Sequence, residues 1–432
     1  MKQKTVEDFD LLGGRLVDPL SGINKVGDLH IRKGKIYHNL PKEGLSKKIH
    51  NIKGHVVLPG LLDLRAHNRV PGASKSESVE SLTRAAAKGG FSSILVMPNT
   101  SPYSDSPATI RYIQDRIKQT SQIKVYLSGC LTLGSKGESI APLGSLKDVG
   151  VVAVTDCPNS PANNEIFTNA IKYAKMFGLA VIDFPQDSYL SKNSDAHESP
   201  LSLKMGLAGN PRMSEEMAVQ RATLIARHLG VPIHLSSLSS AGSVQLVKQA
   251  KEYGIPVTAD VSAHHLLLTE GEISQYNTSA KTNPPLREEI DRKALIEGIK
   301  SGIIDACNSS HEPYSEHLKD VEFDLAPKGA TGLETALLTF IEAVEEKDPF
   351  QLVVEKMSYK PHHILGLNQP SLRDGSEAEF VVIKRKENWT YNPEHGESLS
   401  RNSPMDNYRF TNKIIFTTSA GRIAFQSIDI KI

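Results

Sequence analysis

Residues 55–72 read HVVLPGLLDLRAHNRVPG. The apolar run Val56-Val57-Leu58 ends in Pro-Gly, after which Asp63, Arg65, His67 and Arg69 occupy alternate positions. Side chains two apart on an extended segment share one face, so this reads as a strand delivering polar groups into a pocket. A histidine between two arginines, on the same face as an aspartate, poses the question of whether the pocket is a metal site.

Seven further short apolar or β-rich runs follow: FSSILVMP, IKVYLSG, VVAVTD, AVIDF, PIHLSSL, PVTADV and IIDACNS. With HVVLPG counted as the first, there are eight. Amphipathic stretches alternate with them, among them ESVESLTRAAAKGG with its glycine stop, NNEIFTNAIKYAKMFG, SEEMAVQRATLIARHLG and SAGSVQLVKQAKEYG. Alternation of this kind predicts βα units and a parallel sheet, and eight strands predict an α/β fold of the (β/α)8 barrel type. No glycine-rich dinucleotide or phosphate loop marks the switch point that an open doubly wound sheet would use.

The two ends of the chain have another rhythm. GDLHIRKGKIYHN reads as two strands separated by Lys33-Gly34-Lys35, AEFVVIKR as a strand, and NKIIFTTSAGRIAFQ as a hairpin turning at Ala420-Gly421. These runs predict a small β-sandwich built from both termini, with domain limits 1–54, 55–368 and 369–432.

Fifty basic residues balance 49 acidic ones, a net charge of +1, which argues against nucleic acid or an anionic membrane as partner and for a small, nearly neutral one. Three cysteines, Cys130, Cys157 and Cys307, are expected to be reduced packing thiols. The opening MKQKTVEDFDLLGG has no apolar signal core and no apolar run is long enough to span a bilayer, so a soluble cytoplasmic protein is expected.

In a barrel the residues that do chemistry lie at the C-terminal strand ends. Those positions offer Asn99 in MPNT, Asp156 in TDCPNS, Asp183, Phe184 and Asp187 in IDFPQD, the serines of HLSSLSSAG, His264 and His265 in DVSAHHL, and Ser310 and His311 in CNSSHEP. His67, Asp156, His264, His265 and His311 are possible metal ligands by residue type alone. A serine nucleophile is disfavoured: there is no G-x-S-x-G elbow, and Ser310 and His311 are adjacent and point to opposite faces. Ser236, Ser237, Ser239 and Ser240 read as a strand-to-helix turn with one serine capping the helix that begins near Ala241.

GLLDLRAHNRVPG, AAAKGGFSSILVMPNTSP, AGSVQLVKQAKEYGIPVTADVSAHHLLLT, NPPLREEIDRKALIEGI, FDLAPKGATGLETAL and SLRDGSEAEFVVI, in this order, resemble the long dihydroorotases. These are zinc amidohydrolases of pyrimidine biosynthesis with a (β/α)8 barrel and a small β-sandwich. The resemblance spans nearly the whole chain and implies a set of site positions. The family motif D-x-H-x-H-x-R-x-P-G has Arg65 in place of its first histidine, while His67, Arg69, Pro71 and Gly72 match. The strand-4 ligand falls on Asp156, the strand-5 histidine on Phe184, and the strand-6 histidine on Ser237, with His234 kept. The strand-8 A-T-D-H-A-P-H becomes NSSHEPY, so Ser310 stands where the aspartate is expected.

Four of six metal positions, Arg65, Phe184, Ser237 and Ser310, therefore lack ligand character, leaving His67 and Asp156. The positions implied to hold substrate remain: Arg69, Asn99, Asn283, His311 and the loop containing Pro327 and Gly329. Two ligands do not complete a catalytic zinc shell, which takes at least three protein ligands and a water. Arg65 is expected to sit in the metal's place and pair with Asp156. The reading is a non-catalytic dihydroorotase-like chain with no cofactor, acting as a structural partner of aspartate carbamoyltransferase and dimerising with itself. Two alternatives stay open. One is an active zinc cyclic amidohydrolase with a divergent site, drawing on Asp183, Asp187, Cys157, Cys307, His264 or His265. The other is a sensing module that binds a dihydroorotate-like carboxylated pyrimidine.

Overall fold

A computed structural model describes residues 7–40 and 44–427 of the chain. The first six residues of the opening stretch, residues 41–43 of the expected N-terminal domain and residues 428–432 of the C-terminal one lie outside the described residues.

Eight parallel strands run in sequence order through one sheet: Leu61–His67, Phe91–Met97, Lys124–Gly129, Ala153–Val154, Ala180–Asp183, Ile233–Leu235, Val257–Ser262 and Ala306–Asn308. The eighth meets the first where Ala66 bridges His311 and the His67 amide donates to the His311 carbonyl at 2.8 Å, nearly closing the barrel. One strand assignment needs correcting. Val56–Pro59, counted above as the first barrel strand, pairs instead with Arg15 and Leu16 and with Phe380–Ile383 in the other sheet. The true first strand is the next segment, Leu61–His67, so the count of eight survives and the barrel begins after Gly60.

The terminal sheet is mixed and also eight-stranded, combining strands from both ends. Its hairpins turn at Lys33-Gly34, with Lys35 already paired to Arg32 in the next strand, and at Ala420-Gly421 as read from the sequence, all four turn residues having positive φ. Phe9, Leu11, Leu16, Val57, Phe380, Val382 and Phe416 bury one apolar core between segments more than 300 residues apart.

Helices follow most barrel strands, and the local signals that start and stop them are visible. Ser78 caps Val79–Lys88 by accepting from the Ser81 amide, and Ser81 returns the bond to the Ser78 amide. That helix stops at Gly89, where a Cβ would lie 1.9 Å from the Leu333 carbonyl oxygen, so only glycine admits the neighbouring backbone. Ser240 caps Ala241–Glu252, the expected role for one of the clustered serines. Among the described residues no helix is long and apolar enough to cross a membrane.

One segment was not anticipated. Between the strands Phe380–Thr390 and Arg409–Ser419 the chain leaves the terminal sheet and reaches the loops at the barrel mouth. There the Asn402 side-chain amide donates to the carbonyls of Glu312 at 3.3 Å and Gly329 at 3.1 Å. Ser398 hydroxyl donates to Glu77, and Ser400 hydroxyl to the Ser76 carbonyl at 2.7 Å.

Candidate functional site at the barrel mouth

The first strand places Arg65, His67 and Arg69 in one buried neighbourhood with the loop that follows the eighth strand. Arg65 is fully buried, its guanidinium carbon 4.4 Å from the centroid of the Phe184 ring. That is a cation–π arrangement, with the ring covering one face of the charge. Among the described residues Nε, Nη1 and Nη2 of Arg65 have no hydrogen-bond partner, and the Cys157 thiol is a neighbouring polar group.

The expected Arg65–Asp156 pair is absent among the described residues. Asp156 instead accepts from the Thr132 amide at 2.9 Å and from the Thr132 hydroxyl. Thr132 sits where the chain has just left the third strand, close enough to satisfy both carboxylate oxygens, so Arg65 turns to the Phe184 ring. Burial pushes the Asp156 carboxyl up to about 6 despite these bonds.

His67 donates through Nδ1 to the Asn99 side-chain oxygen at 2.8 Å, and its Nε2 lies 3.7 Å from Glu312 Oε2. Burial drives its ring down to about 4, so it is neutral at pH 7. Arg69 donates from Nε to the Pro313 carbonyl at 2.9 Å, directs Nη2 toward Glu312 Oε1 at 3.5 Å, and stacks on the Tyr314 ring at 4.4 Å. Burial opposes ionisation of Glu312, but the surrounding His67, Arg69 and Arg65, with the Tyr314 hydroxyl, outweigh it and hold the carboxyl below its ordinary range. With His67 neutral, the two arginines supply the positive charge.

The other implied site residues are placed as follows. Ser237 and Ser310 both have left-handed backbone, φ +59° and +48°, an uncommon state for residues other than glycine. The Ser237 hydroxyl accepts from the Asn308 amide at 3.0 Å, and its own amide donates to Asp260. His311 is engaged structurally: Nδ1 accepts from the Gly332 amide at 3.2 Å and Nε2 faces Glu77 at 3.4 Å. Asn283 is half-buried at the start of the Pro284-Pro285 turn. The carbonyls of Pro327 and Gly329 accept from the buried Lys319 ammonium at 2.8 and 2.9 Å.

The residues present do not assemble a zinc shell at the mouth. His67 and Asp156 are joined there by no third histidine, cysteine or carboxylate with converging ligand atoms among the described residues. Three of the divergent candidates are engaged in structural bonds, while His264 is buried with its Nε2 unpartnered among the described residues. His265 is held by the Ser262 hydroxyl at 2.8 Å and the Pro285 carbonyl at 3.1 Å, Asp183 by the Ser160 hydroxyl at 2.8 Å, and Asp187 by the amides of Tyr189 and Leu190, each at 2.9 Å. Cys130, Cys157 and Cys307 are buried free thiols, and burial raises each above its ordinary range. One cluster with converging ligand atoms does exist among the described residues, His197 with Glu288 and Asp291. Arginines already fill it. Arg212 lies 2.5 Å from Glu288 and 2.6 Å from Asp291, and Arg287 Nη1 is 3.0 Å from His197 Nδ1.

Sequence reasoning missed Glu312, Tyr314, Lys319 and Asn402. A signal for the first two existed in HEPY, where glutamate and tyrosine stand at the alanine and second histidine of the family's D-H-A-P-H. Asn402 carried none, since it lies 90 residues from Glu312 in the chain.

Comparison with known proteins agrees with this architecture. Residues 54–243 match the family model described as Dihydro-orotase-like. The chain is 36% identical over 420 residues to the dihydroorotase of Citrifermentans bemidjiense, covering 96% of this chain and 99% of that one. It is 38% identical over 418 residues to the dihydroorotase of Pelotomaculum thermopropionicum, covering 96% and 97%. Among solved structures, the L-hydantoinase (dihydropyrimidinase) of Arthrobacter aurescens superposes with a TM-score of 0.84 at 20% identity, over 98% of this chain and 97% of that one, a likeness of fold. By sequence over nearly its full length, and by the barrel that carries the motif at residues 63–72, the chain belongs to the dihydroorotase family.

Proposed function

We propose that this member of the dihydroorotase family is non-catalytic and acts as a structural partner, with aspartate carbamoyltransferase as its companion. The observation that carries the reading is the buried Arg65 guanidinium against Phe184, a fixed cation at a position where the family places a metal ligand. Opening a cyclic amide at neutral pH through zinc depends on lowering the pKa of water from 15.7 to about 7. That is on the order of 12 kcal/mol of nucleophile activation, at ~1.36 kcal/mol per unit. A lone general base contributes about 10²- to 10⁴-fold, and Asp156 has both oxygens engaged by Thr132.

The test is ring opening of dihydroorotate, and the reverse closure of N-carbamoyl-aspartate, by the chain as purified and after zinc loading, with metal content measured in parallel. Stoichiometric, tightly held zinc together with turnover above background would overturn the reading. The partnership is tested by co-expression and size-exclusion chromatography with aspartate carbamoyltransferase, and two chains that elute separately at micromolar concentration would remove it.

The second reading, zinc-dependent cyclic amide hydrolysis through a divergent site, is favoured by one observation, the name dihydroorotase carried by relatives 36–38% identical over nearly the whole chain. The same assay separates the two.

A further inference from the structure

Glu312 is a buried carboxylate at the barrel mouth that neither the family motif nor the proposed function uses. It is 3% exposed. Its backbone is fixed on both sides, the amide donating to the Ala330 carbonyl at 2.7 Å and the carbonyl accepting from Asn402. Oε1 faces Arg69 Nη2 at 3.5 Å and the Tyr314 hydroxyl at 3.2 Å, and Oε2 faces His67 Nε2 at 3.7 Å. Among the described residues Arg69 Nη2 has no other hydrogen-bond partner. The buried Arg69 guanidinium and the Tyr314 hydroxyl thus converge on one carboxylate, which is the donor arrangement of a binding site for a small carboxylate anion. Gly329 is shaped to the same group: a Cβ there would come within 2.7 Å of Glu312 Cγ and of Tyr314 Cε2.

We propose that Arg69 and Tyr314 form a carboxylate-binding site whose resident anion is the chain's own Glu312, so that external carboxylates are excluded until that side chain is removed. A buried guanidinium left without a counter-charge is costly, and an internal carboxylate on a fixed loop satisfies it without the entropy of capturing a free ligand. The proposal goes beyond the loss of catalysis. A chain that fails to turn over dihydroorotate leaves the anion result open to either outcome, whereas turnover of that carboxylate by zinc-loaded wild type would contradict the exclusion.

The experiment uses the full chain with formate and acetate as probes and chloride at matched ionic strength as the control, read by calorimetric titration and thermal melting. Wild type is expected to show no saturable formate binding and no formate-specific shift in Tm. Glu312→Ala is expected to bind formate saturably, at least tenfold tighter than wild type, and the added Arg69→Ala change is expected to abolish that gain. If Glu312→Ala folds only when formate is supplied, that dependence is itself the expected rescue. Glu312→Gln keeps the shape without the charge and is expected to lower Tm and to be insensitive to formate. Any of three results overturns the proposal: wild type binding formate as tightly as Glu312→Ala, the double variant retaining the gain, or Glu312→Gln melting with wild type.

Discussion

Rebuilding the family's ligands at three positions while varying only residue 65 isolates what the buried guanidinium does. The background is Phe184→His, Ser237→His and Ser310→Asp, beside the native His67 and Asp156. Within it, Arg65 is kept, changed by Arg65→Ala, or changed by Arg65→His. A guanidinium about 4 Å from a divalent ion at an effective dielectric of ~20 is repelled by roughly 8 kcal/mol, or nearly six powers of ten in affinity. The Phe184 ring that covers Arg65 at 4.4 Å is removed in this background, so the cation has room to move, and the penalty becomes an upper bound. We expect Arg65→Ala to raise zinc affinity at least a thousandfold, because it removes the charge. Arg65→His should bind more tightly still, because it also adds a ligand. Metal content after dialysis and competition against a chelator of known affinity measure both steps. Equal zinc affinity with Arg65 kept and with Arg65→Ala would show that the guanidinium does not oppose the metal, and the electrostatic reasoning would be wrong.

Three further outcomes are expected. Phe184→Leu and Arg65→Met, alone and combined, should give a coupling energy of about 1–2 kcal/mol in urea melts, as a desolvated cation–π contact predicts, and additivity of the two would refute the contact. Gly329→Ala should destabilise by roughly 1–3 kcal/mol, since its φ is +141° and its Cβ meets Glu312 and Tyr314. Gly22→Ala, whose Cβ meets nothing within 4 Å, should cost less, and the opposite order would contradict the packing. Burial first of all holds His264 down to about 3, and His265 and His362 to about 4, so these rings stay neutral in the fold while the unfolded chain protonates near pH 6.5. Stability is therefore full above pH 6.5 and lost as pH falls toward 4, by roughly 3 kcal/mol for His362 alone at ~1.36 kcal/mol per unit. His362→Gln should flatten that slope in melts from pH 7 to 4.5, and an unchanged slope would exclude His362 from it.

Local pattern was enough for the elements and their number. Alternating apolar runs and amphipathic stretches contain the barrel because strand and helix periodicities are properties of neighbouring residues. The same pattern misassigned Val56–Pro59, since an all-apolar run of four looks alike in either sheet and only its pairing with Arg15–Leu16 and Phe380–Ile383 decides. Family motifs located Arg65, Phe184, Ser237 and Ser310 one by one, and chemistry identified them as poor ligands.

What the sequence by itself determined was therefore the inventory: a barrel, a terminal β domain, and a metal motif with an arginine in it. The tertiary structure decided the partnerships. Asp156 goes to Thr132, which meets both of its carboxylate oxygens, and Arg65 goes to the face of Phe184. Glu312 goes beside His67 and Arg69, secured by Asn402 from a segment 90 residues further on. Charge pairing is a matter of distance across the fold, and the order of residues along the chain carries no record of it until the barrel has closed.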